Sequence, residues 1–76
     1  MFQKEKFGMR LRALRKAKGE SQTVLADLLD VSVAHISEME SGKKTTSLER
    51  LYLLCDHFQV SADYLLGLKD EMTEIG

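Results

Sequence analysis

Chemistry in this chain has to come from two histidines, His35 and His57, one cysteine, Cys55, and clustered lysines and arginines. Cys55 and His57 stand two positions apart, so on a helix they point in different directions and cannot hold one metal ion together. His35 lies far from both, and no nucleophile, base and orienting group can be assembled into a set. Gly42-Lys43-Lys44 lacks the rest of a phosphate-binding loop. No enzymatic activity, metal or cofactor is therefore expected. Cys55 reads as a core residue, and His35 as solvent-facing or a phosphate neighbour. The basic residues remain. Residues 1–19 carry Lys4, Lys6, Arg10, Arg12, Arg15, Lys16 and Lys18 against Glu5 alone, and residues 43–50 add Lys43, Lys44 and Arg50 against Glu49. Such clusters suit binding of phosphates along one basic face. The plainer alternative is a solvated basic helix, and with a formal net charge of -1 the charge balance does not choose between them.

The elements that must position these groups are helical. At 76 residues the chain fits one domain, which buries only about 60% of the surface of its unfolded chain and has little room for a deep substrate cavity. Hydrophobic residues at 43% and charged residues at 30% give an ordinary globular balance. No apolar run approaches the ~20 residues of a membrane span, the start MFQKEKFGMRLR lacks a signal-peptide stretch, and a single cysteine suits a reducing cytoplasm. No membrane association is expected, and no small-molecule ligand is evident. Helical periodicity dominates. The first helix spans about Lys4 to Lys18, with Phe7, Leu11 and Leu14 on one stripe and Gly19 as its stop. Ser21 is placed as the cap of a second, Gln22 to Leu29, and Ser32 as that of a third, reaching about Ser41 before Gly42. Ser47 caps a fourth, carrying Leu48, Leu51, Tyr52, Leu54, Cys55 and Phe58. Ser61 caps a short fifth, closed by Gly67. Residues 68–76 read as a flexible tail or the start of a linker after a 1–67 domain.

The segment from Gln22 to Ser41 is the most informative. Two short helices are separated by a tight break, and the second has an outer face of small polar residues. Leu25, Leu29, Val31, Ile36 and Met39 form an apolar set that locks them across the turn, and Ala26 is small where they cross. That geometry projects the second helix outward, where a major groove can admit it. The turn needs a residue tolerant of the left-handed region, and Asp30 suits it.

SQTVLADLLDVSVAHISEMESGKK followed by SLERLYLLCDHFQVSADYLLG resembles the Cro/C1-type (xenobiotic-response-element) helix-turn-helix family. The resemblance covers about Phe7 to Gly67. Its most specific pieces are FGMRLRALRKAKGESQ, VSVAHISEMESGK and VSADYLLG. It implies an all-α, five-helix, lambda-repressor-like DNA-binding domain. Two departures stand out: Asp30 occupies the turn position where the family usually has Gly, and Thr46 the place before the fourth helix where it often has Pro.

The resemblance also implies residue roles. Gln22 matches a phosphate-clamping glutamine that uses its amide and the helix N-terminus. Val33, Ala34, Ser37 and Glu38 match the groove-facing positions: two apolar contacts for a thymine methyl, one hydroxyl for either edge, one carboxylate for a cytosine amino group. Glu38 has a second reading, as a solvated residue or a repulsive element against wrong sites, and Val33 and Ala34 one as packing near the turn. Ser41 and Lys43 match a second phosphate anchor, which Lys44 and Thr45 extend. Arg15 and Glu40 match a partly buried salt bridge between the first and third helices. The expected partner is double-stranded DNA, bound by a homodimer on a pseudo-palindrome. Tyr64, Leu65 and Leu68 are candidates for the dimer surface, or equally for the core. The competing reading is an antitoxin-like or anti-repressor-like protein-interaction module on the same fold.

Overall fold

Three serines act where helices begin, because a hydroxyl at the N-cap accepts a backbone N–H that the helix itself cannot satisfy. Ser32 Oγ accepts from His35 N (3.0 Å), Ser47 Oγ from Arg50 N (3.2 Å) and Ser61 Oγ from Tyr64 N (3.2 Å). In the computed structural model, which describes residues 1–71, the helices are α1 (Lys4–Ala17), α2 (Gln22–Leu29), α3 (Val33–Glu40), α4 (Leu48–Phe58) and α5 (Ala62–Leu66). No strand occurs among the described residues. No described helix is long and apolar enough to cross a membrane. Ser21 departs from expectation. It precedes α2 with extended backbone but makes no side-chain cap. The N–H of Val24 turns instead to the Ser21 carbonyl (3.2 Å), leaving the hydroxyl exposed.

The core draws on every helix. Phe7 and Leu11 of α1, Leu25 of α2, Ile36 and Met39 of α3, Leu54 of α4 and Leu65 of α5 are fully buried. The stripe Phe7, Leu11, Leu14 follows the i, i+4, i+7 spacing of one helix face, and all three are buried. Leu65 is thus core, not dimer surface: it points to the centre from the inner side of α5. Tyr64 is half-buried, with the Arg10 guanidinium 4.3 Å from its ring centre. Cys55 is buried, and desolvation pushes its thiol above the ordinary range.

α1 packs on α3 and α5, and α2 on α3 and α4. The approach of α1 to α3 depends on Gly8. A Cβ built there would meet the carbonyl oxygen of Met39 and lie 2.6 Å from that of Glu40. Arg10, from another side of α1, donates to the carbonyls of Tyr64 and Lys69 and to Asp70 (2.8 Å), which also pairs with Lys6 (3.1 Å). Those two cations, Lys6 first, hold the Asp70 carboxyl below the usual carboxylate range. Lys69 and Asp70, in the segment expected to be loose, are therefore tied to α1 by charge-assisted bonds. Residues 72–76 of that expected tail lie outside the described residues.

Gly8→Ala tests the close approach. Alanine is favoured over glycine by about 1 kcal/mol within a helix, but overpacking costs about 1–3 kcal/mol, and backbone carbonyls cannot swing aside. A net loss of stability in urea unfolding is expected. A gain would show that α1 and α3 stand further apart.

Candidate nucleic-acid interface

Asp30 ends α2 in the left-handed region (φ 55°, ψ 51°). An aspartate enters that region more readily than most non-glycine residues, so the turn closes without glycine. Val31 N then returns to Ala26 O (3.0 Å), and Ser32 starts α3. Arg50 of α4 donates through Nε to the Leu29 carbonyl (3.1 Å), satisfying an open group at the C-terminus of α2. At the far end of α3, Gly42 (φ 80°) lets the chain reverse, and the Lys43 and Lys44 N–H groups both reach the Glu38 carbonyl (2.9 and 3.2 Å).

α3 buries Ile36, Met39 and Glu40 and turns Val33, Ala34 and Ser37 to the exterior. Val33 is 43% exposed, high for a branched apolar side chain. Glu38 is half-exposed and lies 3.5 Å from Lys44 Nζ. Lys43 and Thr45 are exposed on the loop after the helix. Ser41 is exposed, but its hydroxyl donates to the Glu38 carbonyl (3.2 Å) and its N–H to that of Ser37. His35 is half-buried beside the turn.

Beneath this surface, Arg15 reaches from α1 to Glu40 on α3 with two bonds, Nε to Oε2 at 2.6 Å and Nη2 to Oε1 at 3.0 Å. Both residues are buried. The hydrogen bonding to Glu40 raises the Arg15 guanidinium above its ordinary range, against a smaller opposing effect of burial. Gln22 joins them: its Nε2 donates to Glu40 Oε1 (3.1 Å), and Arg15 Nη1 donates to the Glu20 carbonyl (2.8 Å) just before α2. Arg12, Arg15, Gln22, Ser37, Glu40 and Ser41 line an open cleft of about 230 Å³ beside this network.

Three contributors were not apparent from sequence. Arg12 had a signal, standing one turn before Arg15 on the same side of α1. Arg50 had none, since its acceptor belongs to a helix 21 positions away. Nor did the Glu20–His57 contact (2.8 Å), which pins the loop before Gln22 to the end of α4.

Glu40→Gln leaves the Arg15 charge buried with a neutral partner. An expected loss of about 3–5 kcal/mol in urea unfolding follows, because an unpaired buried charge costs far more than the net worth of the pair. Arg15→Met combined with Glu40→Leu should recover most of that loss. A single-variant loss below about 1 kcal/mol would place the pair among exposed ion pairs.

A helix-turn-helix family model matches residues 11–65 of the chain. The HTH-type transcriptional regulator AnsR of Bacillus subtilis is 43% identical over 58 residues, covering 76% of this chain and 50% of AnsR. The restriction-modification controller protein C.AhdI from Aeromonas hydrophila superposes with a TM-score of 0.71 at 35% identity, covering 82% of this chain and 94% of C.AhdI. The P22 c2 repressor, in complex with a synthetic operator, superposes with a TM-score of 0.73 at 37% identity, covering 79% and 91% of the two chains. The chain spans from 16% to 55% of the length of three curated relatives it matches. With the turn geometry, the buried Arg15–Glu40 bridge and these similarities in agreement, the chain belongs to the Cro/C1-type helix-turn-helix family.

Proposed function

We propose that this chain is a sequence-specific double-stranded-DNA-binding transcriptional regulator: a repressor that places α3 in the major groove and binds a pseudo-palindromic operator as a homodimer. The observation that carries this reading is the outward face of α3, where Val33, Ala34 and Ser37 are exposed and Glu38 half-exposed, with Gln22 bonded to Glu40 at the end of the helix and Lys43 exposed on the loop that follows. Similarity to the P22 c2 repressor, whose structure holds an operator, supports it. Val33 and Ala34 present methyl groups to thymine, Ser37 a hydroxyl to either base edge, and Glu38 an acceptor to a cytosine amino group. Glu38 would repel nearby phosphates, and Lys44 at 3.5 Å offsets that charge. This weakens the case for a protein-binding α3, which rests on the same carboxylate.

Phosphate contacts flank the reading face. Gln22 gives one amide hydrogen to Glu40 and keeps its other amide hydrogen, with the N–H groups of Gln22 and Thr23 at the start of α2, for a phosphate. Lys43 and Thr45 are free to meet the strand beyond α3, and Lys44 joins them on leaving Glu38. Ser41 contributes once its hydroxyl rotates away from the Glu38 carbonyl.

Of the three residues first considered for the dimer surface, Leu65 is buried, Tyr64 half-buried and only Leu68 well exposed, at 73%, and dimerisation fits α4 better. Leu48 and Tyr52 lie one turn apart, 82% and 70% exposed, beside an apolar groove formed with Leu51, Cys55 and Ala62. Contiguous apolar surface of this kind marks an association site.

Selection of binding sites from random duplexes should return two half-sites about one helical turn apart. Replacing Val33 or Ser37 should shift the preferred bases by about 1–3 kcal/mol per base pair. Gln22→Ala and Lys43→Ala should instead weaken all sequences alike; Lys43→Ala, which removes a cation, should also lower the steepness of the salt dependence by up to ~0.9, whereas the neutral Gln22→Ala should leave it nearly unchanged. An unchanged preferred sequence after the Val33 and Ser37 exchanges would refute the readout assignment. For the dimer, Tyr52→Glu should lower the sedimenting mass to that of a monomer while affinity for an isolated half-site persists. An unchanged mass would move the interface elsewhere.

A further inference from the structure

We propose that a half-open cavity between α1, α4, α5 and the loop after α3 is a binding site for a small neutral aromatic alcohol of the phenol class. Phe2, Phe7, Thr45, Thr46, Leu51 and Leu66 line it, and its volume is about 350 Å³. That lies within the ~300–1,000 Å³ of small-molecule sites, and an apolar cavity of about 150 Å³ already admits benzene. The cavity reaches the core, because Phe7 is 2% exposed and Leu51 9%. Its outer wall is Phe2, 46% exposed. Phe2 stands before the start of α1, beside Gln3, which makes no side-chain cap for that helix. A guest thus has buried apolar walls to fill and an entrance edged by a side chain that belongs to no helix. The site shares only Thr45 with the phosphate contacts proposed above, so it stands whether or not the chain binds DNA.

The walls select the chemistry of the guest. None of these residues carries a charge, so a carboxylate or an ammonium would lose its hydration there and meet no counter-charge. The Phe2 and Phe7 rings are tilted by 55° with their centroids 6.3 Å apart, and a further ring can pack against such a pair edge to face. One polar group is left over. Thr46 Oγ1 is shut off from solvent and has no hydrogen-bond partner among the described residues. A buried hydroxyl in that position keeps its full desolvation cost, and the large majority of such groups in folded proteins are paired. A step to another staggered χ1 state presents the hydroxyl to the guest. A guest with a hydroxyl of its own then gives Thr46 a partner, as donor or as acceptor. Thr46 is also one of the two departures from the family pattern, standing where proline is common. Proline would bring no hydroxyl to this wall.

Titration of the whole chain with 4-methylphenol, toluene and 4-methylbenzoate, following the methyl resonances of Leu51 and Leu66, tests the site. 4-Methylphenol should shift both residues saturably and bind about fivefold more tightly than toluene, the worth of one hydrogen bond. The comparison is strict, because the phenol hydroxyl gives up water on entry and only a partner inside can make it the tighter ligand. The anionic 4-methylbenzoate should give no saturable shift. Thr46→Val keeps the shape of the side chain and removes the hydroxyl, so there toluene should become the tighter ligand. No saturable shift with 4-methylphenol overturns the site. Toluene binding the wild type at least as tightly as 4-methylphenol overturns the role of Thr46 and with it the class of ligand, and this readout stands even if the valine variant does not fold. A preference for 4-methylphenol that survives in Thr46→Val does the same. Saturation by 4-methylbenzoate overturns the requirement for a neutral guest.

Discussion

The buried pair of Arg15 and Glu40 is the constraint on which the rest of the arrangement depends. An isolated charge would not survive in a core this small, since removing either partner from water costs several kcal/mol. The pair persists because the carboxylate receives three N–H donors, from Arg15 Nε, Arg15 Nη2 and Gln22 Nε2, and because the fork of the guanidinium matches it in two places. Such a pair adds little net stability over well-packed apolar side chains. Its value lies in geometry. One guanidinium holds α1, α3 and the loop at Glu20 together, so α3 can neither rotate about its axis nor slide without breaking bonds in a poorly solvated place. That fixes which residues of α3 face outward, and therefore which can meet a base edge.

Gly8 and Arg50 complete the positioning from opposite sides. At Gly8 the absence of a side chain lets the carbonyls ending α3 lie against α1. Arg50 takes the Leu29 carbonyl and so links the turn to α4. Between them Asp30 accepts a left-handed backbone that costs most residues about 1–2 kcal/mol. Its own N–H reaches the Ala26 carbonyl in this conformation. The strain is thereby concentrated in a single residue, while the helices on either side stay regular and can pack through Leu25, Leu29, Ile36 and Met39.

Much of this was legible in the sequence because it is local. A serine before an apolar period, a glycine after it and a three-four spacing of leucines depend on neighbours in the chain, and they placed all five helices within a residue or so. Ser21 shows the limit of that logic: its type and backbone suit a cap, but the Val24 N–H bonds the Ser21 carbonyl and not its hydroxyl. The Arg15–Glu40 bridge was reached through family resemblance, not spacing, since 25 positions separate the partners. Arg50 with Leu29, Glu20 with His57 and Arg10 with the segment after α5 had neither a local signal nor a resemblance to mark them. Each joins groups brought together only when the helices pack, so a reading based on period and capping has no purchase on them.

The same distinction resolves the charge of α1. Seven basic residues in the first nineteen positions suggested either one phosphate-facing surface or one solvated helix. The folded chain divides them by direction. Lys6 and Arg10 face α5 and Asp70, Arg15 faces Glu40, and Lys18 reaches the end of α4, where the Phe58 ring lies 5.8 Å from its ammonium. These four support the fold, and their charges are met by acceptors within the chain. A total charge of -1 is therefore a poor guide to what a partner encounters, because the field near a surface depends on the charges that remain unmatched there and decays within about 8–10 Å in physiological salt. Between α1 and the start of α2, Arg12 is such a charge, and its position beside the outward face of α3 makes that side attractive to a polyanion while the molecule as a whole is slightly acidic.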